Sequence, residues 1–377
     1  MNSELIDEPS APADKVPPKW YRRWLLWLLL IAAVVLLVTG YIAYAKLTGN
    51  LRYIEVSRED LGDVRPAKLP NTGLNILVVG LDQSTSENSQ HIGDRTDTIM
   101  LAHLSPERNN AVVISFPRDS MVQLPACRVR EEFPGQKRHL GIINSSFSFG
   151  GIGCTWKTIE TLTGIRIDHF IMVDFAGFKN MVDAIGGVDF CIPEPIHDEY
   201  VPLTLPAGWQ TLLGEQALGY VRARHSIGDG SDIGRIQRQQ DFVAAIAKKS
   251  MSRKILANPI LLFSFLDAVT KSVITDPGLT IGVMRHLALT ALSMDTIHFV
   301  ITPWRYSTAY PGRVEWRERP ARKLFQLISA DHPVSDALST SSKTAEPLRS
   351  RTDAEPVVDN DEPVTTPTAP CFPAQAN

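Results

Sequence analysis

The chain has 377 residues, of which 44% are hydrophobic and 21% are charged, and its formal net charge is −3 at pH 7. This length suits one large domain or two small ones. A nearly neutral chain lacks the excess of basic residues that nucleic-acid-binding proteins show, so that class of function is disfavoured.

A long apolar run occupies Leu25–Tyr44 near the N-terminus. Its length matches the about 20 residues that cross a bilayer as a helix. A cleavable signal peptide is the competing interpretation, but its apolar segment usually has only about 7–15 residues and ends at a small-residue cleavage site, which does not follow closely here. A retained membrane helix is therefore favoured.

Basic residues crowd the N-terminal side of this run, whereas Lys46 and Arg52 are sparser on the other side. Because positively charged flanks stay in the cytoplasm, we expect the N-terminal tail inside the cell and everything after Lys46 outside. This location is a second argument against nucleic acid as a partner. The basic residues are Lys15, Lys19, Arg22 and Arg23.

Composition divides the chain into five segments. The last is rich in Pro, Ser, Thr and acidic residues and loses hydrophobic periodicity, so it cannot bury enough apolar surface to offset its ordering entropy. The predicted segments are a short cytoplasmic tail (1–24), a transmembrane helix (25–45), a linker (46–72), a compact extracytoplasmic domain (73–330) and a disordered tail (331–377).

Short apolar runs and segments of helical periodicity share the compact domain. Because they interleave without strict alternation, we expect a mixed sheet covered by helices on both faces. In chain order the predicted elements are strands at 75–81, 96–104 and 110–116, a helix at 144–164, a strand at 170–173, a helix at 176–185, a strand at 188–192, helices at 234–251 and 259–271, a strand at 297–302 and a helix at 321–329.

Four cysteines follow the membrane run: Cys127, Cys154, Cys191 and Cys371. A location outside the cytoplasm permits disulfides. Cys127 lies in a proline-containing loop and Cys154 near the start of a predicted helix, so this pair is the first choice, although three connectivities are formally open. There is no CxxC motif and no histidine at ligand spacing, which disfavours metal binding by the cysteines.

Polar residues cluster where the first three predicted strands begin or end. Asp82 follows the first strand, Arg95 and Asp97 open the second, and Arg118 and Asp119 follow the third. Open sheets place their ligands at such strand ends. Taken singly, each cluster has an ordinary structural interpretation as a turn cap or a surface ion pair.

A fourth cluster is the stretch YVRARHSIGDGSDIGRIQRQQ at 220–240, which contains four arginines and no lysine. The planar guanidinium suits phosphate or carboxylate, and the carboxylates at the strand ends suit a hard cation such as Mg²⁺. The clusters together predict a polyanion site. His225 is more simply a solvated loop residue, and no GxSxG motif accompanies Ser115 or Ser120, which disfavours nucleophilic hydrolysis. The arginines are Arg222, Arg224, Arg235 and Arg238.

Several separate motifs occur in one order: NILVVGLD, GDRTDTIML, VVISFPRDS, INSSFSFGG, TLTGIRIDHF, DAIGGVDFCIPEPI, GEQALGYVRARH and SDIGRIQRQQ. This order resembles the LytR-CpsA-Psr family over about residues 74–250. The later ITPW segment, with the helix after it, also fits. The number of motifs makes the resemblance specific.

The resemblance implies a membrane-anchored transferase of the bacterial cell envelope. Such enzymes move a glycopolymer from a polyprenyl-pyrophosphate carrier onto peptidoglycan as a phosphodiester, using Mg²⁺. The implied fold is an α/β class three-layer α/β/α sandwich with a central mixed sheet, preceded by one transmembrane helix, and with an apolar groove for the polyprenyl chain. The implied partners are the lipid-linked glycopolymer, the peptidoglycan acceptor and membrane lipid. Residues 73–330 would be the catalytic domain.

The family's functional positions map onto residues of this chain. Asp82 and Asp97 take the Mg²⁺ positions. The implied catalytic residues are Asp82, Asp97, Arg118 and Asp232, and the implied pyrophosphate-binding residues are Arg95, Arg118, Arg222, Arg224, Arg235 and Gln239.

One position departs from the family pattern. Members often carry a lysine two residues before the motif asparagine, but Ile142 precedes Asn144 here. Arg138 or His139 would have to supply the missing charge. Two alternatives stay open: a protein that binds polyprenyl (pyro)phosphate without transfer, and a lipid pyrophosphatase that uses water as the acceptor.

The basic flank and the apolar run predict that residues 46–377 lie outside the cytoplasmic membrane. Protease added to spheroplasts should therefore digest this part of the chain while a cytoplasmic marker protein stays intact. Full protection of residues 46–377 under these conditions would contradict the topology.

Overall fold

The computed structural model describes residues 19–68, 73–82, 96–105, 110–224, 226–227, 230–294, 296–334 and 342–345. Two units are distinguished, Met1–Gly49 and Asn50–Asn377. The first contains most of helix α1 (Lys19–Asn50). Among the described residues, Arg23–Asn50 is the one helix that is long and apolar enough to cross a membrane. The predicted N-terminal apolar helix is thus confirmed.

The second unit contains the remaining elements. Its helices are α2 (Arg58–Leu61), α3 (Ser145–Thr163), α4 (Phe175–Ala184), α5 (Gly214–Arg222), α6 (Asp232–Ser250), α7 (Arg253–Leu256), α8 (Pro259–Ser272), α9 (Ile281–Ser293) and α10 (Glu318–Ser329). Its strands are β1 (Arg52–Tyr53), β2 (Leu74–Leu81), β3 (Thr96–Ser105), β4 (Asn110–Ser115), β5 (Met121–Leu124), β6 (His139–Ile142), β7 (His169–Asp174), β8 (Val188–Ile192), β9 (Ile196–Asp198), β10 (Leu203–Leu205), β11 (Gly208–Leu212), β12 (Val273–Thr275), β13 (Thr296–Ile301), β14 (Trp304–Tyr306), β15 (Val314–Trp316) and β16 (Ser342–Ala345).

The central sheet is mixed, with the strand order β1-β12-β7-β2-β3-β4-β13-β16. Strand β2 runs parallel to β7 and antiparallel to β3, while β4 is antiparallel to β3 and parallel to β13. Helices flank the sheet, so the predicted α/β/α sandwich is confirmed. Short two-stranded sheets form outside it from β5 with β6, β8 with β11, β9 with β10, and β14 with β15.

One face of the sheet carries the main hydrophobic core. Side chains alternate between the faces of a strand, so Leu77, Leu101 and Ile114 point to the same side, and all three are fully buried. Helices α3 and α10 supply Ile159 and Leu324 to the same cluster. Burial of this face fixes the register of the strands, because a slip of one residue would turn the apolar set outward.

The other face is covered only in part: Ile76 and Met100 on this side are buried, but some of their neighbours are not. Val78, Ala102 and Val113 lie on this side in the middle of the sheet and are only half-buried. A second hydrophobic cluster forms at a distance from them, among helices α4 and α5 and strands β8 to β11, around residues such as Val182 and Leu212. The half-buried apolar side chains leave a surface that a long apolar ligand could cover.

Several strands terminate at one edge of the sheet. Strands β2, β4, β7 and β13 all end there, at Leu81, Ser115, Asp174 and Ile301, and β3 begins there at Thr96. The polar residues that follow these ends are consequently brought together, as is usual for ligand sites of open sheets.

A disulfide joins Cys127 to Cys154, with their Cα atoms 5.6 Å apart, and so confirms the predicted pair. Cys154 lies just after a break in α3 at Gly150 and Gly151. Gly151 has a positive φ of 59°, and a Cβ atom there would meet the ring of Phe133 at 2.8 Å. Glycine at this position therefore allows the loop that carries Cys127 to approach the helix.

The predicted linker 46–72 is wrong for its described residues after Asn50. Leu51 and Leu61 are buried, and β1 joins the edge of the sheet. The guanidinium of Arg65 binds the buried carboxylate of Glu160, with Nη2 and Oε1 2.6 Å apart. Composition gave no sign of this packing, because a polar segment can be ordered by a few buried contacts with distant residues.

The domain also continues past the predicted boundary at 330. The carboxylate of Asp331 contacts Nε2 of His103 at 2.9 Å and accepts a hydrogen bond from Ser105 at 3.0 Å, and Val334 is buried. Strand β16, inside the tail that was expected to be disordered, pairs with β13. The rest of the predicted tail lies outside the described residues.

The disulfide should stabilise the domain by restricting the unfolded chain. For a sequence separation of 27 residues, the loop-closure entropy corresponds to about 3.5 kcal/mol. We expect the double variant Cys127→Ala/Cys154→Ala to lose about this much free energy of unfolding in a denaturant titration. Reduction should lower the stability of the wild type by more than that of the variant, which keeps the disulfide of Cys191. Equal stability of the two oxidised proteins would contradict this account.

Candidate active site

Arg118 lies at the centre of the polar edge. It follows β4 in the sequence FPRDS, where Pro117 turns the chain. Its Nη1 donates to the carboxylate of Asp97, and its Nε lies 3.3 Å from Oδ1 of Asp232 and 3.8 Å from Oδ2 of Asp119. Burial alone would lower the pKa of Arg118, but these three carboxylates raise it. The guanidinium therefore stays charged although it is mostly buried.

Asp232 begins helix α6 and lies between two arginines. The N-cap of this helix is Ser231, whose Oγ accepts a hydrogen bond from the amide of Gly234 at 3.0 Å. One turn further on, Nη2 of Arg235 lies 2.5 Å from Oδ1 of Asp232 and donates to the carbonyl of Asp97 at 3.5 Å. These contacts hold the first turn of helix α6 against the start of β3.

Arg235 is an unusually buried arginine, with 3% of its surface exposed. Burial lowers its pKa, the charges of Arg118 and Arg224 add to this effect, and Asp232 and Asp97 oppose it. Three guanidinium groups that repel one another in a buried region favour the arrival of a polyanion, which would relieve the repulsion.

All three of these arginines have a buried Nε that makes no hydrogen bond to the described residues, although Nε of Arg118 lies within ion-pair distance of Asp232. The Nε atoms of Arg224 and Arg235 are buried, and no group within the described part of the chain accepts a hydrogen bond from either of them. A buried donor without a partner costs free energy, so such atoms often mark a ligand position. The orphaned donors on these cationic groups indicate an anion.

Asp82 lies at the mouth of this cluster, directly after β2. Nη2 of Arg222 is 3.8 Å from its Oδ1, and the guanidinium of Arg222 stacks over the ring of Phe175 at 4.3 Å from the centroid. Partial burial raises the pKa of Asp82, and the negative charge of Asp97 raises it further, while Arg222 opposes both. The carboxylates of Asp82 and Asp97 are thus close enough to repel each other.

A pair of neighbouring carboxylates is suited to share a cation. In the described ranges there is no group of three or more His, Cys, Asp or Glu residues that could hold a metal ion. A site with two carboxylates fits Mg²⁺, which is usually bound by one or two protein carboxylates together with waters and substrate phosphates. It does not fit a metal that needs a closed shell of protein ligands.

Gln239 connects the site to its surroundings. Its Oε1 accepts a hydrogen bond from Oγ1 of Thr98 at 3.2 Å, and its Nε2 donates to the carbonyl of Val221 at 3.4 Å. These contacts join α6 to β3 and α5. A direct role of Gln239 in anion binding stays a prediction.

The structure thus brings most of the predicted site residues to one edge of the sheet. Arg95 and His225 lie outside the described residues. The remaining predicted positions are close together, and their catalytic and binding roles stay predictions. They are Asp82, Asp97, Arg118, Arg222, Arg224, Asp232, Arg235 and Gln239.

Other residues support the site and were not predicted to do so. Arg313 donates to the carboxylate of Asp119, and the backbone amide of Asn144 donates to the carbonyl of Arg118 at 3.4 Å. Gln240 binds Oγ of Ser115 at 2.8 Å. Arg313 is 194 residues from Asp119, so no local pattern could have found this pair.

Comparison with known proteins agrees with the motifs and the fold. The family model described as the LytR_cpsA_psr family matches residues 43–310. The chain belongs to this family. Ile142, the position that departs from the expected motif, lies on β6 opposite Met121.

Named relatives connect this family to the cell wall. The probable cell wall biosynthesis protein LcpB of Corynebacterium glutamicum is 35% identical over 244 residues, which are 62% of this chain and 55% of LcpB. The polyisoprenyl-teichoic acid–peptidoglycan teichoic acid transferase TagV of Bacillus subtilis is 27% identical over 291 residues, covering 73% of this chain and 71% of TagV. The chain spans about half the length of LcpB.

A solved structure supports the fold. The crystal structure of protein gbs0355 from Streptococcus agalactiae superimposes with a TM-score of 0.60 at 21% sequence identity. The match covers 73% of this chain and 91% of the other. This likeness concerns the fold alone.

The raised pKa of Asp82 gives a test of the geometry. Because the pKa is higher in the folded state than its ordinary value of 3.8, ionisation of Asp82 opposes folding, and this penalty develops as the pH rises through the folded-state pKa. Asp82→Asn should therefore raise the melting temperature at pH 7 in buffer free of divalent cations, and the gain should vanish below the ordinary pKa.

Asp63→Asn is a matched control, since Asp63 is an exposed aspartate outside the site. Melting temperatures of the wild type and both variants, measured between pH 3 and 7 by about unit steps, would check the prediction. The geometry would be contradicted if the two variants shifted the melting temperature equally at pH 7.

Proposed function

We propose that the protein is a membrane-anchored phosphotransferase that moves a glycopolymer from a polyprenyl-pyrophosphate carrier onto peptidoglycan, forming a phosphodiester. The observation that supports it most is the set of buried guanidinium groups with unpartnered Nε donors beside two adjacent carboxylates. Family membership and the transferase name of TagV support the same reaction class. The catalytic domain would face the outside of the cytoplasmic membrane.

Recognition of the pyrophosphate falls to the arginines in this proposal. Nε and Nη of one guanidinium can bind two oxygens of a phosphate together, and such charge-assisted pairs are stronger than neutral hydrogen bonds. Arg224 and Arg235 have the free Nε donors for these contacts. Arg118 is already held by carboxylates on three sides, so it presents a fixed charge that needs little reorganisation.

The lipid part of the donor would lie on the less-covered face of the sheet. Val78, Ala102 and Val113 form a half-buried apolar strip on this face, and Thr98 marks the end of the same face near the site. Gly80 lies opposite Thr98 and has no side chain to cover this end of the face. A Cβ atom at Gly80 would lie 3.1 Å from Cβ of Thr98, so a larger residue would crowd this position. A polyprenyl chain on the strip would place its pyrophosphate near the arginines.

Helix α9 provides further apolar surface on the molecule. None of its residues is buried, although its sequence IGVMRHLALTALS is mostly apolar. Leu289 is 56% exposed. A surface of this kind is costly in water and indicates contact with lipid, whether with the carrier chain or with the membrane.

Asp82 and Asp97 would hold Mg²⁺, which when bound neutralises charge on the phosphate oxygens. The other contributions come from the protein itself. Arg118, Arg224 and Arg235 orient the pyrophosphate and stabilise the charge that grows on the leaving phosphate. Asp232 keeps Arg118 and Arg235 in position, because it lies within ion-pair distance of both.

The proposed transfer forms one bond and breaks another. A hydroxyl of the acceptor glycan gives up its proton to the surrounding water, and its oxygen forms a bond to the phosphorus next to the glycopolymer. The bond from that phosphorus to the bridging oxygen breaks, and polyprenyl phosphate leaves with the electron pair. An in-line arrangement requires that the acceptor approach from the side opposite to the leaving group.

Asp97→Asn should test the reaction class. We expect the transfer rate to fall by about 100-fold, since the variant removes one of the two carboxylates from the shared cation position. Donor affinity should change much less. The measurement is formation of phosphodiester-linked product from a lipid-pyrophosphate-linked glycan and uncrosslinked peptidoglycan, with Asp63→Asn as control.

Two outcomes would overturn the proposal. Donor binding without Mg²⁺-dependent product in the wild type would point to a carrier protein. Release of polyprenyl phosphate at the same rate with and without peptidoglycan, and without a linked product, would point to a pyrophosphatase.

A further inference from the structure

A second concave region lies beside the site, and none of the residues assigned to the donor lines it. It is a cleft of about 600 Å³ between the β5–β6 hairpin, the β14–β15 hairpin and the start of α10. Its walls include Leu140, Tyr310, Trp316 and Arg319. Its volume falls within the range of about 300–1,000 Å³ that is typical of ligand pockets.

The floor of the cleft is rigid. The ring of Trp316 packs against Phe116 and Phe325, with centroids 5.6 and 5.5 Å away. Its Nε1 donates to Oγ of the buried Ser120 at 3.0 Å. The indole is therefore fixed from below while it remains partly exposed to the cleft.

The cleft and the site share a wall. Ser120, which binds Trp316, follows Arg118 and Asp119 directly in the chain. Arg313 donates to the carboxylate of Asp119, and the amide of Val314 donates to its carbonyl at 3.3 Å. A ligand in the cleft would thus contact a wall that is hydrogen-bonded to Asp119 and Ser120, the two residues that follow Arg118 in the chain.

The charged groups that line the cleft leave it with a positive charge, because three arginines (Arg305, Arg317 and Arg319) exceed two glutamates (Glu315 and Glu318). Tyr310 is 41% exposed, and its flat aromatic ring can stack on a sugar ring, while Leu140, which is 48% exposed, adds apolar surface beside it. The carboxylate of Glu315 is already held by Arg305 at 2.9 Å and by Ser307 at 2.6 Å. Arg319 is exposed and is paired with no carboxylate in the part of the chain that the structure describes, which leaves it available for an acidic group.

The cleft and the half-buried apolar strip lie on opposite faces of the sheet. Trp316 belongs to the cluster on the well-covered face, together with Val122 of β5. The half-buried apolar strip of Val78 and Val113 lies on the opposite face. A ligand in the cleft would therefore approach Arg118 from one side of the sheet, and a lipid on the strip from the opposite side. In-line displacement requires that the acceptor and the leaving group lie on opposite sides of the phosphorus.

We propose that this cleft binds the acceptor as an extended glycan strand that bears carboxylates. The inference rests on the proposed function in one respect, namely that the strand is the acceptor of the transfer. Tyr310 and Trp316 provide stacking surfaces, and Arg319 pairs with a carboxylate of the strand.

The first experiment measures binding directly, with the full-length protein in detergent micelles. The probe is a peptidoglycan strand from which the peptides have been removed, so that its lactyl carboxylates are free. Tyr310→Ala and Arg319→Ala should each weaken binding by about tenfold, which corresponds to about 1.4 kcal/mol. Tyr200→Ala is the control, since Tyr200 is 81% exposed and lies outside the cleft.

The second experiment separates the cleft from the reaction. In the transfer assay, Tyr310→Ala and Arg319→Ala should raise KM for the strand while binding of the lipid-linked donor stays as in the wild type. Both side chains are exposed, and unchanged melting temperatures would confirm intact folding. Equal strand binding and equal KM in the variants and the wild type would overturn the cleft proposal, even if transfer occurs.

The proposed function can fail independently. If the wild type forms no phosphodiester product but binds the strand, and Tyr310→Ala loses that binding, the cleft stands as a glycan site. Binding that is lost equally in Tyr200→Ala would instead count against the cleft.

Discussion

The ion pairs of Arg118 are the contact on which the rest of the site depends. This single guanidinium joins Asp97 at the start of β3, Asp119 beyond β4 and Asp232 at the start of α6. Three elements that are remote in sequence are thereby fixed at one sheet edge. The cost of removing so many charges from water is offset because nearly every charge faces an opposite one.

Some groups of the site are not fully compensated by these ion pairs. Arg224 and Arg235 keep donors that are not satisfied by the described residues, and Asp82 keeps a raised pKa beside Asp97. Positive and negative groups are therefore both in slight excess at neighbouring places. A polyanion with a divalent cation would satisfy both at once, which neither ligand would do alone. Stability is given up locally, as is usual where a site must bind a highly charged ligand.

The sequence predicted the sheet and its polar edge because both follow from local patterns. Apolar runs such as NILVVGL define strands, and residues such as Asp82 and Arg118 follow them directly. The contacts that build the site's supports were out of reach, since Arg313 and Asp119 are joined only by the tertiary fold. Short strands such as β14 and β15 contain too few residues for the alternation of apolar and polar side chains to be recognised in the sequence. The packing of residues 50–68 was missed for the same reason.

That packing determines where the independently folding unit begins. The carboxylate of Glu160 is buried and accepts hydrogen bonds from Arg65, from the indole of Trp156 at 3.1 Å and from the amide of Ile167 at 2.9 Å. A fragment cut before Asn75 would remove Arg65 and leave an uncompensated negative charge in the interior, at a cost of about 3–5 kcal/mol. It would also uncover the core beneath Leu61. The segment that follows the N-terminal apolar helix is thus a structural part of the domain, and a fragment without that helix has to include it.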